Sequence, residues 1–101
     1  MSGLRIKTAK TKATFYRLRN DIQTLLESEE FDRYLVRSEF SKLSVVFEDL
    51  LENFRELGEE YAVYYEVEKI AKLDVELEKI ETEFAEIEDI VYRCANSRQV
   101  T

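Results

Sequence analysis

The chain has 101 residues, of which 37% are charged and 45% hydrophobic, with a net charge of −7, two glycines and no proline. Its length allows one domain, 1–101, with a modest core, and its six tyrosines and six phenylalanines provide enough apolar surface to exclude a disordered chain. A Glu-, Leu- and Lys-rich composition with helical periodicity predicts an all-α fold. We expect a three-helix bundle or helical hairpin with coiled-coil character.

The composition also excludes most catalytic chemistry. There is no histidine, so the commonest general base and metal ligand is missing. Cys94, the only cysteine, is interpreted as a small core residue that needs no oxidising compartment. No apolar run approaches the roughly 20 residues that span a bilayer. We expect a non-enzymatic protein, cytoplasmic or nuclear, with no cofactor, metal, membrane span or small-molecule substrate.

The N-terminal segment is basic. Residues 1–7 are expected to form a flexible arm, and apolar residues in steps of three and four from Phe15 predict a first helix over about 8–27. The first twenty residues contain no acid, and their cations are Arg5, Lys7, Lys10, Lys12, Arg17 and Arg19. These cations have the chemistry to contact RNA or DNA phosphates, or an acidic partner. The competing interpretation, that this helix packs beside the acidic stretch 74–89, is favoured by the chain's pI of 4.7.

A central helix is predicted over about 31–57. Its apolar residues alternate in steps of four and three, which keeps one face toward neighbouring helices, and they are Val36, Phe40, Leu43, Phe47, Leu50, Phe54 and Leu57. Ser28 is the expected N-cap, with Ser38 and Ser41 as rivals. Replacing Phe47 or Leu50 with Asp is expected to unfold the domain, because the charge would be buried without a partner.

Gly58 follows the last residue of this central pattern and is the expected helix end. A helix continuing through Gly58 is the competing interpretation, favoured by Tyr61 and Tyr64, which extend the central pattern. A break in phase before Ile70 favours a turn at 57–61, with three tyrosines packed around the corner.

A third helix is then predicted over about 60–95. Its apolar residues again recur in steps of three and four, and we expect them to contact another copy or a partner: Ile70, Leu73, Leu77, Ile80, Phe84, Ile87 and Val91. Helices of about 20, 26 and 36 residues are unequal, so the third would extend beyond the others and expose apolar surface. A homodimer, or a complex with another helical protein, would cover that surface.

Three segments together resemble a known family. TKATFYRLRNDIQTLL, YLVRSEFSKLSVVFEDLLENF and EFAEIEDIVYRC are similar in order and character to the N-terminal helical segment of Gag polyproteins from Bel/Pao-like LTR retrotransposons, over about 8–95. The chain lacks the zinc knuckle, capsid-like domain and protease of those polyproteins. The resemblance implies a fragment or domesticated remnant that self-associates or binds a partner. It implies no catalytic residue.

These observations predict a self-assembly or protein-interaction module that works through coiled-coil-like helix packing. The alternative is an RNA-binding accessory protein that uses its basic N-terminal segment.

Overall fold

A computed structural model describes residues 3–29 and 32–97, with side chains up to Cys94. These residues form three α-helices and no strand: α1 spans Leu4–Glu27, α2 spans Arg33–Val63 and α3 spans Val67–Ser97. The prediction of an all-α helical bundle is confirmed. The bundle is elongated, with extents of 57 × 20 × 16 Å.

Side-chain contacts define the direction of each helix. Phe47 contacts Phe84, and Phe40 contacts Tyr92, so α2 and α3 are antiparallel. Ion pairs of α1 with α3 advance together along both helices, from Lys12–Glu76 to Arg19–Glu83, so these two helices are parallel. The topology is therefore up-down-up.

The core lies along the axis and draws on all three helices. Phe15, Ile22, Leu43, Leu50 and Ile80 are fully buried in it. The predicted packing face of the central helix is confirmed, because its members are either buried or packed against the core.

Phe47 links the three helices through its ring. It stacks on Phe84 of α3 with centroids 4.1 Å apart and planes 2° apart, and it lies 6.1 Å from the Phe15 ring of α1. Phe84 also stacks on Phe40 at 5.5 Å. Such aromatic pairs contribute about 0.5–1.5 kcal/mol each beyond the area they bury.

One polar contact lies inside the α1–α2 interface. Asn53 is only 2% exposed, and its Nδ2 donates to Thr11 Oγ1 at 3.0 Å. A buried polar residue that finds its partner in only one alignment of two helices favours that alignment.

The predicted arm is helical where it is described. α1 begins at Leu4, with Gly3 at its N-cap, whereas Met1 and Ser2 lie outside the described residues. Thr8 occupies a core position two turns before Phe15 and is 4% exposed. Its hydroxyl donates to the Leu4 carbonyl at 2.7 Å, so a polar residue continues the buried face toward the N-terminus.

The predicted cap at Ser28 is wrong. Ser28 is the C-cap of α1, and its N–H donates to the Leu25 carbonyl. Asp32 caps α2 instead, since its carboxylate accepts from the N–H groups of Tyr34 at 2.9 Å and Leu35 at 3.2 Å. A carboxylate there also faces the positive end of the helix dipole. The expected start at residue 31 lies outside the described residues, and the rival caps Ser38 and Ser41 lie inside α2.

The predicted turn at 57–61 is also wrong, because α2 continues through Gly58 to Val63. A glycine inside a helix costs about 1 kcal/mol relative to alanine. The continued helix places the half-buried Tyr61 beside Phe54 and Leu57, and the apolar area that Tyr61 buries offsets that cost.

The reversal comes at residues 64–66, in a Schellman motif. The Glu66 N–H donates to the Tyr61 carbonyl at 2.9 Å, and the Tyr65 N–H donates to the Ala62 carbonyl at 3.1 Å. Tyr65 has a φ of 55°, in the left-handed region that glycine usually occupies in this motif. The third helix therefore begins at Val67 rather than near residue 60.

These bounds make α2 and α3 equal in length, at 31 residues each, beside an α1 of 24 residues. The expected extension of the third helix past the others, which motivated the homodimer, is therefore wrong. The oligomeric state itself stays a prediction.

Candidate protein-interaction groove

The apolar residues of α3 that were expected to meet a partner face the interior of the chain. Ile80, Ile87 and Val91 are buried in the core, and three others pack against it partly buried: Leu73, Leu77 and Phe84. Ile70 is half-buried. In this fold the three buried residues are not accessible to a partner, whereas Leu73 lines an open groove.

Two of the six N-terminal cations pair with acids of α3. Lys12 Nζ lies 2.8 Å from Glu76 Oε1, and Arg19 Nε lies 3.6 Å from Glu83 Oε2. The interpretation that the basic helix packs beside the acidic one is confirmed for these two residues.

The other four cations are exposed and form no salt bridge with any described residue: Arg5, Lys7, Lys10 and Arg17. Lys7 lies on the α2 side of α1, near Glu52. The pKa of Glu52 is lowered mainly by its hydrogen bond from Arg55 and, to a smaller extent, by the charge of Lys7. Arg5 lies on the α3 side, while Lys10 and Arg17, seven residues apart, share the outer face. The six cations thus spread over several faces rather than forming one stripe.

A groove of about 390 Å³ opens between α1 and α3 near the α2–α3 turn. Its floor is apolar, with Phe54 and Leu57 at the bottom and the half-buried Leu73 and Tyr61 above them. On the α1 side Ala9 leaves room that a longer side chain would fill. A second depression, lined by Tyr16 and the exposed Val75, lies farther along the two helices and shares Lys12, Lys72 and Glu76 with the first. The Lys12–Glu76 ion pair crosses between the two depressions, which together we call the α1–α3 groove.

The edges of the α1–α3 groove are cationic. Its charged residues are Arg5 and Lys12 from α1, and Lys69, Lys72, Glu76 and Lys79 from α3. Lys12 pairs with Glu76, and Lys69 pairs with Glu66 at 2.8 Å while lying 5.5 Å from the centre of the Tyr61 ring. Arg5, Lys72 and Lys79 have no ion pair among the described residues. A local positive surface therefore lies on a chain with a net charge of −7.

The sequence interpretation missed the three lysines of α3. Lys72 and Lys79 are seven residues apart, and Lys69 precedes Lys72 by three, which puts them on one side of the helix. This spacing was the available signal. It was overlooked because the segment is dominated by acids.

The groove closes beyond Tyr16. The Tyr16 hydroxyl donates to Glu83 Oε1 at 3.5 Å, and Glu83 also pairs with Arg19. Burial first, and then the negative charges of Glu83 and Glu76, raise the pKa of Tyr16, so its hydroxyl stays protonated as a donor.

The α2–α3 turn presents a second surface, which we call the apolar tip. Val63, Tyr64, Tyr65 and Val67 are 70%, 69%, 88% and 71% exposed. The expectation that the tyrosines pack around a corner therefore holds only for Tyr61 and is wrong for Tyr64 and Tyr65.

No described group of three or more His, Cys, Asp or Glu side chains is arranged to hold a metal ion. In the part of the chain that the structure describes, no helix combines the length and apolar character needed to cross a bilayer. Comparison of the chain with protein-family models, curated proteins and solved structures gives no match.

Proposed function

We propose that this protein is a non-enzymatic interaction module whose α1–α3 groove accepts a helix from another chain. The observation that carries the proposal is an open groove with an apolar floor and charged edges between two parallel helices. A fourth helix in this position would turn the three-helix bundle into a four-helix bundle.

The dimensions support this proposal. From Lys69 to Lys79 the α3 edge spans about 15 Å, which corresponds to almost three turns of a helix. Apolar contacts would come from Ala9 and Tyr16 on the α1 side, from Val75 on the α3 side and from Leu73 in the floor. Helices pack at about 8–10 Å between axes when small residues such as Ala9 line the contact.

The test is a selection of displayed amphipathic helices that bind the full chain, followed by mapping of the bound helix by NMR. Ala9→Arg fills the groove from an exposed position, and Ala13→Arg is the matched control on the outer face of α1. We expect selected helices to perturb Leu73 and Val75 and to lose at least about tenfold in affinity with Ala9→Arg only. Helices that bind elsewhere, or equal effects of the two arginines, would contradict the proposal.

Self-assembly is a second candidate, favoured by the apolar tip. Its four exposed apolar side chains lie within five residues of the chain. The same end carries charges of both signs, Glu66 and Glu68 beside Lys69, so two copies related by a twofold axis can oppose unlike charges. The resemblance to Gag segments implies the same activity.

Sedimentation of the chain over a range of concentrations tests this candidate. A dimer that Tyr64→Ser weakens and Tyr34→Ser leaves intact would support it, because Tyr34 is equally exposed, at 72%, near the other end of α2. A strict monomer at high concentration would exclude it.

A further inference from the structure

The α1–α3 groove carries a repeating pattern of positive charge. Arg5 and Lys12 are seven residues apart along α1, and Lys72 and Lys79 are seven residues apart along α3. Because seven residues are nearly two helical turns, each edge of the groove presents a cation about every 10 Å. The Lys12–Glu76 pair joins the two edges.

We infer that the partner of the α1–α3 groove is an acidic amphipathic helix of another protein, with an apolar seam between two rows of Asp or Glu. This inference rests on the proposed function and adds the chemistry of the partner. A helix with acids seven residues apart on each flank of its seam matches both cationic edges at once. The seam itself would lie over the apolar floor at Leu73 and Tyr61, because Val75 lies on the far side of the lysine row.

The cations of the groove that form no ion pair favour an acidic partner. Arg5, Lys72 and Lys79 have no ion pair among the described residues, so carboxylates placed opposite them would gain partners without breaking existing pairs. A basic helix would bring more positive charge to three cations that form no ion pair among the described residues.

Two other occupants fit less well. A nucleic acid would meet an apolar floor and the Glu76 carboxylate between the cationic edges, and other cations of α1 point away from the groove. A second copy of this chain offers an acidic helix, α3, but the apolar face of that helix is already buried in its own core.

The experiment is a selection from a displayed helix library with a constant Leu and Ile seam, in which the two flanking rows are randomised among Glu, Gln and Lys. We expect binders of the native chain to be enriched in Glu on both flanks. Against a Lys72→Glu/Lys79→Glu variant the enrichment should move toward Lys on one flank. The affinity of the native-selected helix for that variant should be at least about tenfold lower than for the native chain. Its affinity for the native chain should weaken with added salt.

The control variant is Lys10→Glu/Arg17→Glu, which reverses two exposed cations with the same seven-residue spacing on the outer face of α1. It should change the affinity less than about threefold. Circular dichroism and thermal unfolding of both variants separate loss of binding from loss of folding.

Each outcome decides between the two proposals. Groove-bound helices with no preference among the three flanking residues, or with a preference for Lys, would overturn the acidic-partner inference and leave the proposed function standing. Absence of any helix bound in the groove would overturn the proposed function. A chain dimer abolished by Lys72→Glu/Lys79→Glu, or a single-stranded RNA 20-mer that displaces the helix from the native chain, would replace the inferred partner.

Discussion

Leu50 and Phe47 occupy adjacent layers of the core. Leu50 is fully buried, and Phe47 contacts the rings of both neighbouring helices. An aspartate at either position would bury a carboxylate among apolar side chains without a described partner. Even if the carboxylate became protonated, a polar group without a hydrogen-bond partner would remain buried. We expect Leu50→Asp and Phe47→Asp to unfold the chain.

Circular dichroism at 222 nm measures this loss of helix, and Val45→Asp is the control. Val45 lies on the same helix but is 60% exposed, so its replacement should leave the fold intact. A cooperatively folded Leu50→Asp chain would mean that the core lies elsewhere.

At Gly58 we expect a substitution that stabilises the fold. A Cβ built there would meet Leu73 Cδ2 at 3.7 Å, which is ordinary van der Waals contact, and the helix continues on both sides. Gly58→Ala should therefore raise the free energy of unfolding by about 0.5–1 kcal/mol and the melting temperature by about 2–8 °C. Thermal unfolding with Gly3→Ala as the comparison checks this, and a lower melting temperature would contradict the packing at Leu73.

At the scale of the element, periodicity predicted the helices better than single residues predicted their ends. The central packing face was predicted correctly from Val36 to Leu57 because several burials act together. Ser28 and Gly58 misled because a cap or a glycine changes the free energy by only about 1 kcal/mol, which burial of a single large side chain exceeds. Asp32 was the better cap, but its residue type alone does not distinguish it from Ser28.

The α1–α3 groove was predictable only in part. The pairing of the basic helix with the acidic one was expected from charge, whereas the positive edge of α3 depends on which side of that helix faces α1. The turn also depends on geometry that composition does not reveal, since a tyrosine rather than a glycine adopts the left-handed conformation at residue 65.

We expect the backbone conformation of Tyr65 in the α2–α3 turn to lower the stability of the fold. A non-glycine residue in the left-handed region costs about 1–2 kcal/mol, and the Tyr65 side chain is 88% exposed, so it recovers little of that cost inside the chain. Tyr65→Gly should stabilise the fold by about 1 kcal/mol in denaturant unfolding. Tyr64→Gly is the control, because Tyr64 has a φ of −97° and gains nothing from glycine. Equal stabilisation by both would contradict strain at Tyr65.

At the scale of the whole molecule, the position of α1 depends on contacts of two kinds. α1 meets α2 through the core and the buried Asn53–Thr11 hydrogen bond, but it meets α3 through polar pairs. The groove is open because few apolar contacts draw α1 and α3 together. The ion pairs therefore act together with the buried apolar face of α1 to set which of its sides turns toward α3.

Substitutions in the Arg19–Glu83 pair test whether ion pairs help to hold α1 against α3. Its side chains are only 25% and 15% exposed, so the pair is screened less than an exposed one. Arg19→Glu should place two carboxylates together and destabilise the fold by about 1 kcal/mol or more, and Arg19→Glu/Glu83→Arg should restore part of that loss. A double-mutant cycle in urea with Arg19→Gln and Glu83→Gln, which remove each charge without adding a like one, should give a coupling of about 0.5–1 kcal/mol. Coupling indistinguishable from zero, with Arg17→Glu equally destabilising, would mean that apolar contacts alone orient α1.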